Sequence, residues 1–274
     1  MPQPLTEVRR RTWNQEVLDL NLEGRAAIVA AHPDDETIGA GACMTRFSEV
    51  TLIHITDGAP RDLKDAALHG FSEREEYAAA RRRELLNALQ AGGIGAARTI
   101  ALGCADQEAS LNLVEIAEAL SHLLHCLTVD VVLTHPYEGG HPDHDAAAFA
   151  VHAACRLLPS ERRPPIVEFA SYHGRDGGMQ TGVFLPNHGT AEMIYTLDSE
   201  ERARKQRMID CFATQQRVLE PFQTLEERFR PAPSYDFDLP PHEGELFYEQ
   251  FPWGMTGDRW RTLARTAREQ LERC

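Results

Sequence analysis

The sequence predicts a three-layer, Rossmann-like α/β fold, in which a mainly parallel sheet carries helices on both faces. Short apolar runs rich in β-branched residues alternate with longer segments whose apolar residues recur at helical spacing. Turn-forming Gly, Pro and Asp residues separate these runs. The chain has 274 residues, 42% of them hydrophobic, and can bury a substantial core without help from disulfides or metals. Any metal site is therefore expected to serve chemistry.

The strands and helices are predicted in order along the chain. Residues 26–31 (AAIVAA) form a buried apolar run, and residues 51–56 form a β-branched run that ends in a predicted turn at residues 57–60. A long charged helix follows, with Ser72 and Glu75 at capping-box spacing. The other predicted strands are 99–102, 129–134, 166–171 and 193–197, and the predicted helices are 38–47, 72–90, 113–127, 146–158, 199–219 and 259–273.

The predicted domain organisation is a core over residues 1–220, with an N-terminal extension over residues 1–24, and a C-terminal arm over residues 221–274. From Pro221 the chain becomes rich in proline, aromatic and charged residues, which favours an arm or lid on the core. Its aromatic residues could anchor the arm or stack on a sugar, and anchoring is favoured. These residues are Tyr248, Phe251, Trp253 and Trp260.

The composition excludes several classes of partner. A formal net charge of −14 argues against nucleic acid and anionic lipid as partners. The six cysteines include no C-x-x-C pair, which indicates reduced thiols. The N-terminus has no apolar signal-peptide core, and no stretch approaches the roughly 18 apolar residues of a membrane span. We therefore expect a cytoplasmic protein that acts on a small molecule, and the sequence leaves a homo-oligomer open.

Two clusters of histidine and acidic residues carry the chemistry. Residues 32–36 (HPDDE) follow the first predicted strand, and residues 141–145 (HPDHD) follow the fourth. Open α/β sheets bind ligands beyond the carboxyl ends of their strands, so the two clusters are predicted to meet in one crevice. Three adjacent acids repel one another, and a divalent cation would remove that cost. Histidine nitrogen and carboxylate oxygen are suitable zinc ligands, and a catalytic zinc site leaves a position for water. A spare carboxylate could serve as general base and a spare histidine as oxyanion stabiliser.

The motifs of this chain resemble those of the LmbE-like, or PIG-L, family of N-acetylglucosaminyl deacetylases. The resemblance rests first on AHPDDETIGAG at residues 31–41 and HPDH at residues 141–144. It extends over roughly residues 25–220. Further matching residues are Thr56-Asp57-Gly58, Arg81 with Glu84, Leu102-Gly103 with Asp106, and Lys205 with Gln215.

The resemblance implies a metal centre with one Zn²⁺ per chain. His32, Asp35 and His144 would be the zinc ligands, and Asp34 would be the general base toward the water. Asp35 also suits the N-terminus of the helix that follows it, and the two roles are compatible.

The resemblance implies roles for four further residues. His141 would stabilise the oxyanion and protonate the leaving nitrogen, and Asp143 would orient His141. Arg81 and Asp106 would bind substrate hydroxyls. Some members of the family have a tyrosine two residues before HPDH. Here that position is glycine, and Tyr137 lies four residues before the motif.

The expected function is hydrolysis of an N-acyl group, most simply acetyl, from an amino sugar or glycoconjugate. An amidase that cleaves a thiol-sugar conjugate is the alternative within the same family. The neighbouring His144 and Asp145 also suggest a metal-dependent phosphoesterase, although such sites usually hold two metals. Specificity is predicted to depend on residues 59–71, residues 172–189 and the tail from Pro221.

Overall fold

A computed structural model describes residues 24–175, 177–186 and 190–273. Of the predicted N-terminal extension, residues 1–23 lie outside the described residues. Within the described part, seven strands form one sheet in the order β3-β2-β1-β4-β5-β9-β8, and β6 and β7 form a separate hairpin. The strands are β1 (Arg25–Ala30), β2 (Glu49–Pro60), β3 (Arg98–Asp106), β4 (Val131–Thr134), β5 (Ile166–Phe169), β6 (Tyr172–Arg175), β7 (Gly178–Thr181), β8 (Met193–Thr196) and β9 (Glu226–Pro231).

The α-helices lie mainly in the connections between these strands. None of the helices in the described ranges is both long and apolar enough to cross a membrane. The helices are α1 (Asp35–Ala40), α2 (Lys64–Leu68), α3 (Arg74–Ala91), α4 (Leu113–Leu127), α5 (Pro142–Leu157), α6 (Ser199–Ile209), α7 (Gln216–Leu219) and α8 (Gly257–Leu271).

The pairing of the strands confirms the predicted α/β fold. Strand β1 is parallel to both β2 and β4, β3 extends the parallel sheet beyond β2, and β5 extends it beyond β4. Strands β9 and β8 complete the sheet in antiparallel pairing. Because β1 lies between β2 and β4, the chain leaves β1 and β4 in opposite directions along the sheet. Sheets of this kind bind ligands in the crevice that such a reversal creates.

Two apolar layers cover the sheet, and strand β1 contributes to both. Ala27 and Val29 belong to one layer, whereas Ala26 and Ile28 belong to the other. This division follows from the alternation of side chains along a strand. Helices α4, α5 and α8 pack in the first layer, and α1, α3 and α6 pack in the second. Helix α1 approaches the sheet closely because Gly39 has no side chain: a Cβ atom there would lie 2.2 Å from the Phe169 ring.

Three local predictions were wrong. Residues 57–60 are not a separate turn, because β2 continues through them with shifts in its pairing to β3. The capping box at Ser72 and Glu75 is absent, since α3 begins at Arg74 and its N-cap, Glu73, makes no side-chain cap hydrogen bond. The predicted helix over residues 199–219 is interrupted between α6 and α7, and its N-terminus carries a capping box formed by Asp198 and Glu201.

The C-terminal segment contributes to both the sheet and the core. Strand β9 lies between β5 and β8, although it falls in the segment predicted as an arm. Tyr248 and Trp260 are fully buried, and the Trp260 indole Nε1 donates a hydrogen bond to the Pro142 carbonyl at 3.1 Å. These two aromatic residues therefore anchor the segment, as expected from the sequence.

Candidate active site and metal centre

The sheet brings the two histidine and acid clusters together. Strands β1 and β4 pair in parallel up to Val29 and Thr134, so both chains leave the sheet at the same edge. His32 follows β1 directly, and His141 and His144 lie at the start of α5 after β4. The His32 ring centroid is 4.6 Å from that of His141 and 5.3 Å from that of His144. The predicted convergence of residues 109 positions apart is thus a feature of the fold.

His32, Asp35 and His144 form a group of donor atoms suited to a metal ion. One ligand atom from each of the three buried residues lies within 4.8 Å of the others. Asp35 is central, because its Oδ2 is 3.1 Å from His32 Nδ1 and its Oδ1 is 3.2 Å from His144 Nε2. The His144 Nε2 atom is buried and faces that Asp35 oxygen. Burial opposes ionisation of Asp35, but His144 and His135 outweigh it and hold the pKa of the carboxyl well below its usual range.

A second group of donor atoms also includes His32. It consists of His32, Asp106, His141 and Asp143, again with ligand atoms within 4.8 Å of one another. The His32 Nε2 is 3.0 Å from Asp106 Oδ1 and 3.4 Å from Asp143 Oδ2. Burial disfavours the imidazolium form of His32, but these carboxylates and Asp35 hold its pKa well above its usual range. The concentration of carboxylates around one histidine ring makes the site attractive to a cation.

Asp34 lies beside the first group in a strained and charged position. Its backbone has φ 141° and ψ −29°, in a region that favours glycine, and such strain is concentrated at functional sites. The Arg81 guanidinium donates at 3.0 Å to Asp34 Oδ2 and also to the carbonyls of Pro33 and Gly58. Burial and the neighbouring Asp35 charge raise the pKa of Asp34 to about 8, against the opposing effect of Arg81. Gly58 permits this contact, because a Cβ atom there would lie 2.8 Å from the guanidinium carbon.

His141 is held at the N-cap of α5 in a defined orientation. Its Nδ1 accepts a hydrogen bond from the Asp143 backbone N–H at 3.1 Å. Burial, together with the charge of His32, lowers the pKa of His141 to about 3. A neutral ring that accepts at Nδ1 carries its proton on Nε2. His141 therefore presents an N–H donor, and Asp106 Oδ1 lies 3.8 Å from that nitrogen.

Asp143 is fully buried and ties α5 to the loop after β3. Its two carboxylate oxygens accept hydrogen bonds from the backbone N–H groups of Gln107 and Ala109, at 2.6 and 3.0 Å. Its Oδ2 is 4.0 Å from His141 Nδ1, a distance too long for a hydrogen bond. The contact that orients His141 is thus made by the Asp143 backbone.

A cavity of about 360 Å³ contains these groups and has two chemically different sides. This volume falls within the usual range for small-molecule sites. Two larger cavities, of about 570 and 500 Å³, contain none of the residues of the two donor groups. The polar floor is lined by His32, Asp34, Asp35, Asp106, His141 and His144. The apolar wall is lined by Val218, Leu219, Phe222, Phe251 and Trp253.

The three segments predicted to shape the pocket all reach it. Asp65 comes from residues 59–71 and Tyr172 from residues 172–189. Phe222, Phe251 and Trp253 come from the tail. Trp253 lines the cavity and also packs against the apolar layer that contains Tyr248 and Trp260. Tyr172 was not among the predicted site residues. Its ring packs against His144 with centroids 5.0 Å apart, and the only sequence signal for it was its place in a predicted specificity loop.

Several residues singled out in the sequence lie outside the polar floor. The Tyr137 hydroxyl donates to the Leu239 carbonyl, and Tyr137 does not line the cavity. Asp145 Oδ1 accepts from the backbone N–H groups of Glu138 and Gly139, so it stabilises the loop before α5. The remaining motif residues form hydrogen bonds between elements of the fold. Glu84 accepts hydrogen bonds from Thr214, and Gln215 donates one to the Tyr77 hydroxyl. Lys205 donates to the Ile38 carbonyl and to the Glu227 carboxylate.

Comparisons with known proteins agree with this architecture. Residues 27–155 match the family PIG-L: GlcNAc-PI de-N-acetylase. A probable N-acetyl-alpha-D-glucosaminyl L-malate deacetylase 2 of Bacillus cereus is 28% identical over 159 residues, covering 57% of this chain and 71% of the relative. A 1D-myo-inositol 2-acetamido-2-deoxy-alpha-D-glucopyranoside deacetylase 1 of Catenulispora acidiphila is 32% identical over 173 residues, covering 55% of this chain and 52% of the relative.

Solved structures show the same fold. The A40926 pseudoaglycone deacetylase Dbv21 superposes with a TM-score of 0.58 and 22% sequence identity, covering 76% of this chain and 96% of the other. The segment that matches the family contains both histidine and acid clusters, whereas the apolar wall lies beyond it. Residues 27–155 therefore match the PIG-L, or LmbE-like, family, and the chain shares its fold with solved deacetylases.

Proposed function

We propose that this protein is a zinc-dependent hydrolase that removes an N-acyl group, in the simplest case acetyl, from an amino sugar or glycoconjugate. The observation that carries the proposal is the convergence of His32, Asp35 and His144 beside Asp34 in one cavity. The names of the relatives, which describe deacetylases of N-acetylglucosamine conjugates, support the same reaction.

One zinc ion per chain would be held by His32, Asp35 and His144. The donor set of two imidazoles and one carboxylate suits a catalytic zinc site with a position left for water. The buried His144 Nε2 beside the ionised Asp35 carboxylate supports this choice. In the second group, the oxygens of Asp143 already accept two backbone hydrogen bonds. When bound, zinc supplies a Lewis acid and lowers the pKa of water.

Asp34 is assigned as the general base. Its carboxylate adjoins the proposed ligands without belonging to their group, and a base is most effective when its pKa lies near the working pH. Asp34 accepts a proton from the water as a C–O bond forms to the amide carbonyl carbon. Arg81 is assigned as a positioning residue, because its guanidinium fixes the Asp34 carboxylate. The prediction that Arg81 also binds a substrate hydroxyl stays a prediction.

His141 is assigned to the oxyanion. Its Nε2–H can donate to the carbonyl oxygen as negative charge develops there. The proton that Asp34 has taken from the water passes to the nitrogen as the C–N bond breaks, which releases a free amine and a carboxylate. The expectation that His141 delivers this proton stays a prediction. Asp143 orients His141 through its backbone N–H. Asp106 contacts His32 through one carboxylate oxygen and also lines the cavity. From there its carboxylate could accept a hydrogen bond from a sugar hydroxyl.

The test is acetate release from a panel of N-acetylglucosamine derivatives by the zinc-loaded protein. The panel contains the free sugar, chitobiose, inositol-linked and malate-linked forms, and a nucleotide sugar. We expect release from at least one member, its loss with a chelator, and its recovery when zinc is returned.

The alternatives give different outcomes in the same experiment. Release of a free thiol-bearing product from a thiol-sugar conjugate, with no acetate from any N-acetyl substrate, would favour the amidase. Hydrolysis of a phosphoester with no amide cleavage would contradict the proposal, as would acetate release that a chelator leaves unchanged.

A further inference from the structure

The apolar wall of the active-site cavity has features of a substrate subsite. Phe251 and Trp253 stack face to face, with ring centroids 4.5 Å apart and planes inclined by 14°. Trp253 also contacts the His141 ring, with centroids 4.7 Å apart. The stacked pair therefore extends from a proposed catalytic residue to the cavity mouth, where Phe251 is 37% exposed.

Other apolar residues of the wall come from a different part of the chain. Val218 lines the cavity and is 55% exposed, and Phe222 packs edge-on against Tyr172 with centroids 6.0 Å apart. Several exposed apolar side chains that line one cavity are typical of a ligand-binding surface. Flat aromatic faces at such a position favour aromatic or other apolar groups.

The charges of the cavity disfavour an anionic substrate. Four carboxylates contribute to its lining: those of Asp34, Asp35, Asp65 and Asp106. Among the described lining residues, Arg81 alone carries a permanent positive charge. Both of its terminal nitrogens already donate to carbonyls or to Asp34. Apart from the proposed zinc, which would face the amide carbonyl, the lining offers a substrate carboxylate or phosphate no free cationic side chain to replace its lost hydration.

The covalent structure of an amino sugar indicates which part of the substrate would meet the apolar wall and the carboxylates of the cavity. In a 2-acylamino sugar, the carbon that bears the nitrogen is bonded to the anomeric carbon, which bears the aglycone. When the amide carbonyl lies on the polar floor, the aglycone is therefore only a few bonds away and must lie within the same cavity.

From these observations we infer that the apolar wall binds a neutral, apolar aglycone, with aryl groups preferred. The inference rests on the proposed function and narrows its substrate class. Specificity would be set by Phe251, Trp253 and Phe222, all outside the residues that match the family.

The experiment compares zinc-loaded protein on four matched β-glycosides of N-acetylglucosamine. They carry a methyl, a p-tolyl, a p-carboxyphenyl or a malyl group at the anomeric carbon. We expect kcat/KM for p-tolyl to exceed that for methyl by on the order of tenfold or more, as for other apolar groups entering a fitted pocket. We expect the p-carboxyphenyl and malyl substrates to be no better than methyl.

Two variants connect the preference to the wall. Phe251→Ala should lower kcat/KM for the p-tolyl glycoside several-fold more than kcat/KM for the methyl glycoside, so that the p-tolyl preference shrinks. Residual hydrolysis of the methyl glycoside shows that the variant is folded and competent. Leu225→Ala removes an apolar side chain that is 52% exposed and lies outside the cavity lining, so it should keep the preference intact. Calorimetric binding of p-tolyl and methyl glycosides to metal-free protein should show the same ranking.

Two outcomes would overturn the inference. The first is equal or better hydrolysis of a carboxylated substrate, and the second is a p-tolyl preference that Phe251→Ala leaves unchanged. In both cases acetate release would still support the proposed function. Absence of hydrolysis of all four substrates by metal-loaded protein, without binding of any, would overturn the inference, and the panel of N-acetylglucosamine derivatives would then decide the proposed function separately.

Discussion

The polar floor and the apolar wall differ in both origin and chemistry. The floor comes from the carboxyl ends of three parallel strands, β1, β3 and β4, and all of its residues fall in the segment that matches the family. The wall comes from α7 and the C-terminal segment, beyond that match. The floor is buried and densely hydrogen-bonded, whereas the wall includes side chains that are one-third to one-half exposed. Under the proposed function, the reaction would depend on the floor and the choice of substrate on the wall.

The assignment of the reaction to the polar floor is tested most severely at the proposed metal ligands. His144→Ala removes one of three donor groups, so we expect it to weaken zinc binding by more than the roughly 10- to 100-fold that loss of a supporting residue costs. Activity should fall to background at limiting zinc. The measurement is zinc affinity by chelator competition, with His122→Ala, an exposed histidine on α4, as the control. Unchanged zinc affinity in His144→Ala would remove that residue from the ligand set.

The next test separates the base from the ligands within the floor. Asp34→Asn keeps the shape of the side chain but cannot accept the proton, so we expect kcat to fall by on the order of 10²- to 10⁴-fold. Zinc content should stay near one per chain, as measured by elemental analysis, and Asp62→Asn on the exposed surface should behave as the parent protein. Loss of zinc from Asp34→Asn would instead place Asp34 among the ligands.

Trp260 and Trp253 test the difference between a residue that stabilises the fold and a residue that lines the cavity. Trp260 is fully buried and donates to the Pro142 carbonyl, so Trp260→Ala should lower the free energy of unfolding by about 3–5 kcal/mol. Trp253→Ala, at a half-buried position that lines the cavity, should cost clearly less in stability and should affect kcat/KM more. Chemical denaturation and steady-state kinetics on both variants measure these effects. Equal losses in the free energy of unfolding would contradict the different roles given to the two tryptophans.

The smallest expected effect lies outside both regions. Asp198 caps α6 through the backbone N–H groups of Glu200 and Glu201. Asp198→Ala should lower the free energy of unfolding by about 1 kcal/mol, and Asp198→Asn, which keeps a capping oxygen, should recover most of it. Neither variant should change kcat or KM, and a change in kcat would show that α6 is coupled to the floor.

The sequence predicted the fold class well because its strongest signals are local. The apolar strands that became β1, β2 and β4 are nearly continuous runs, as expected for strands buried on both faces of a parallel sheet. It failed where tertiary packing overrides local signals. Residues 57–60 look like a turn, yet pairing with β3 keeps them in a bulged strand. Strand β9 escaped notice because its charged sequence, Glu226–Pro231, lacks the apolar pattern of the central strands.

The candidate site shows the same limit. The sequence alone determined that His32, Asp34, Asp35, His141 and His144 should meet, because the carboxyl ends of adjacent parallel strands share one edge. It could not determine that Arg81 fixes Asp34 or that the Asp143 backbone orients His141, since those contacts depend on how α3 and the loop after β3 pack.

The tertiary structure also decided which aromatic residues of the tail are anchors and which line the cavity. Tyr248, Phe251, Trp253 and Trp260 are all aromatic, and only the path of the chain over the sheet buries Tyr248 and Trp260 in the core and brings Phe251 and Trp253 to the cavity, with Trp253 at the edge of the core. Residue types and spacing can determine the reacting groups. The shape and charge of the surface around them arise from contacts between segments far apart in the chain, so only the folded structure determines these properties.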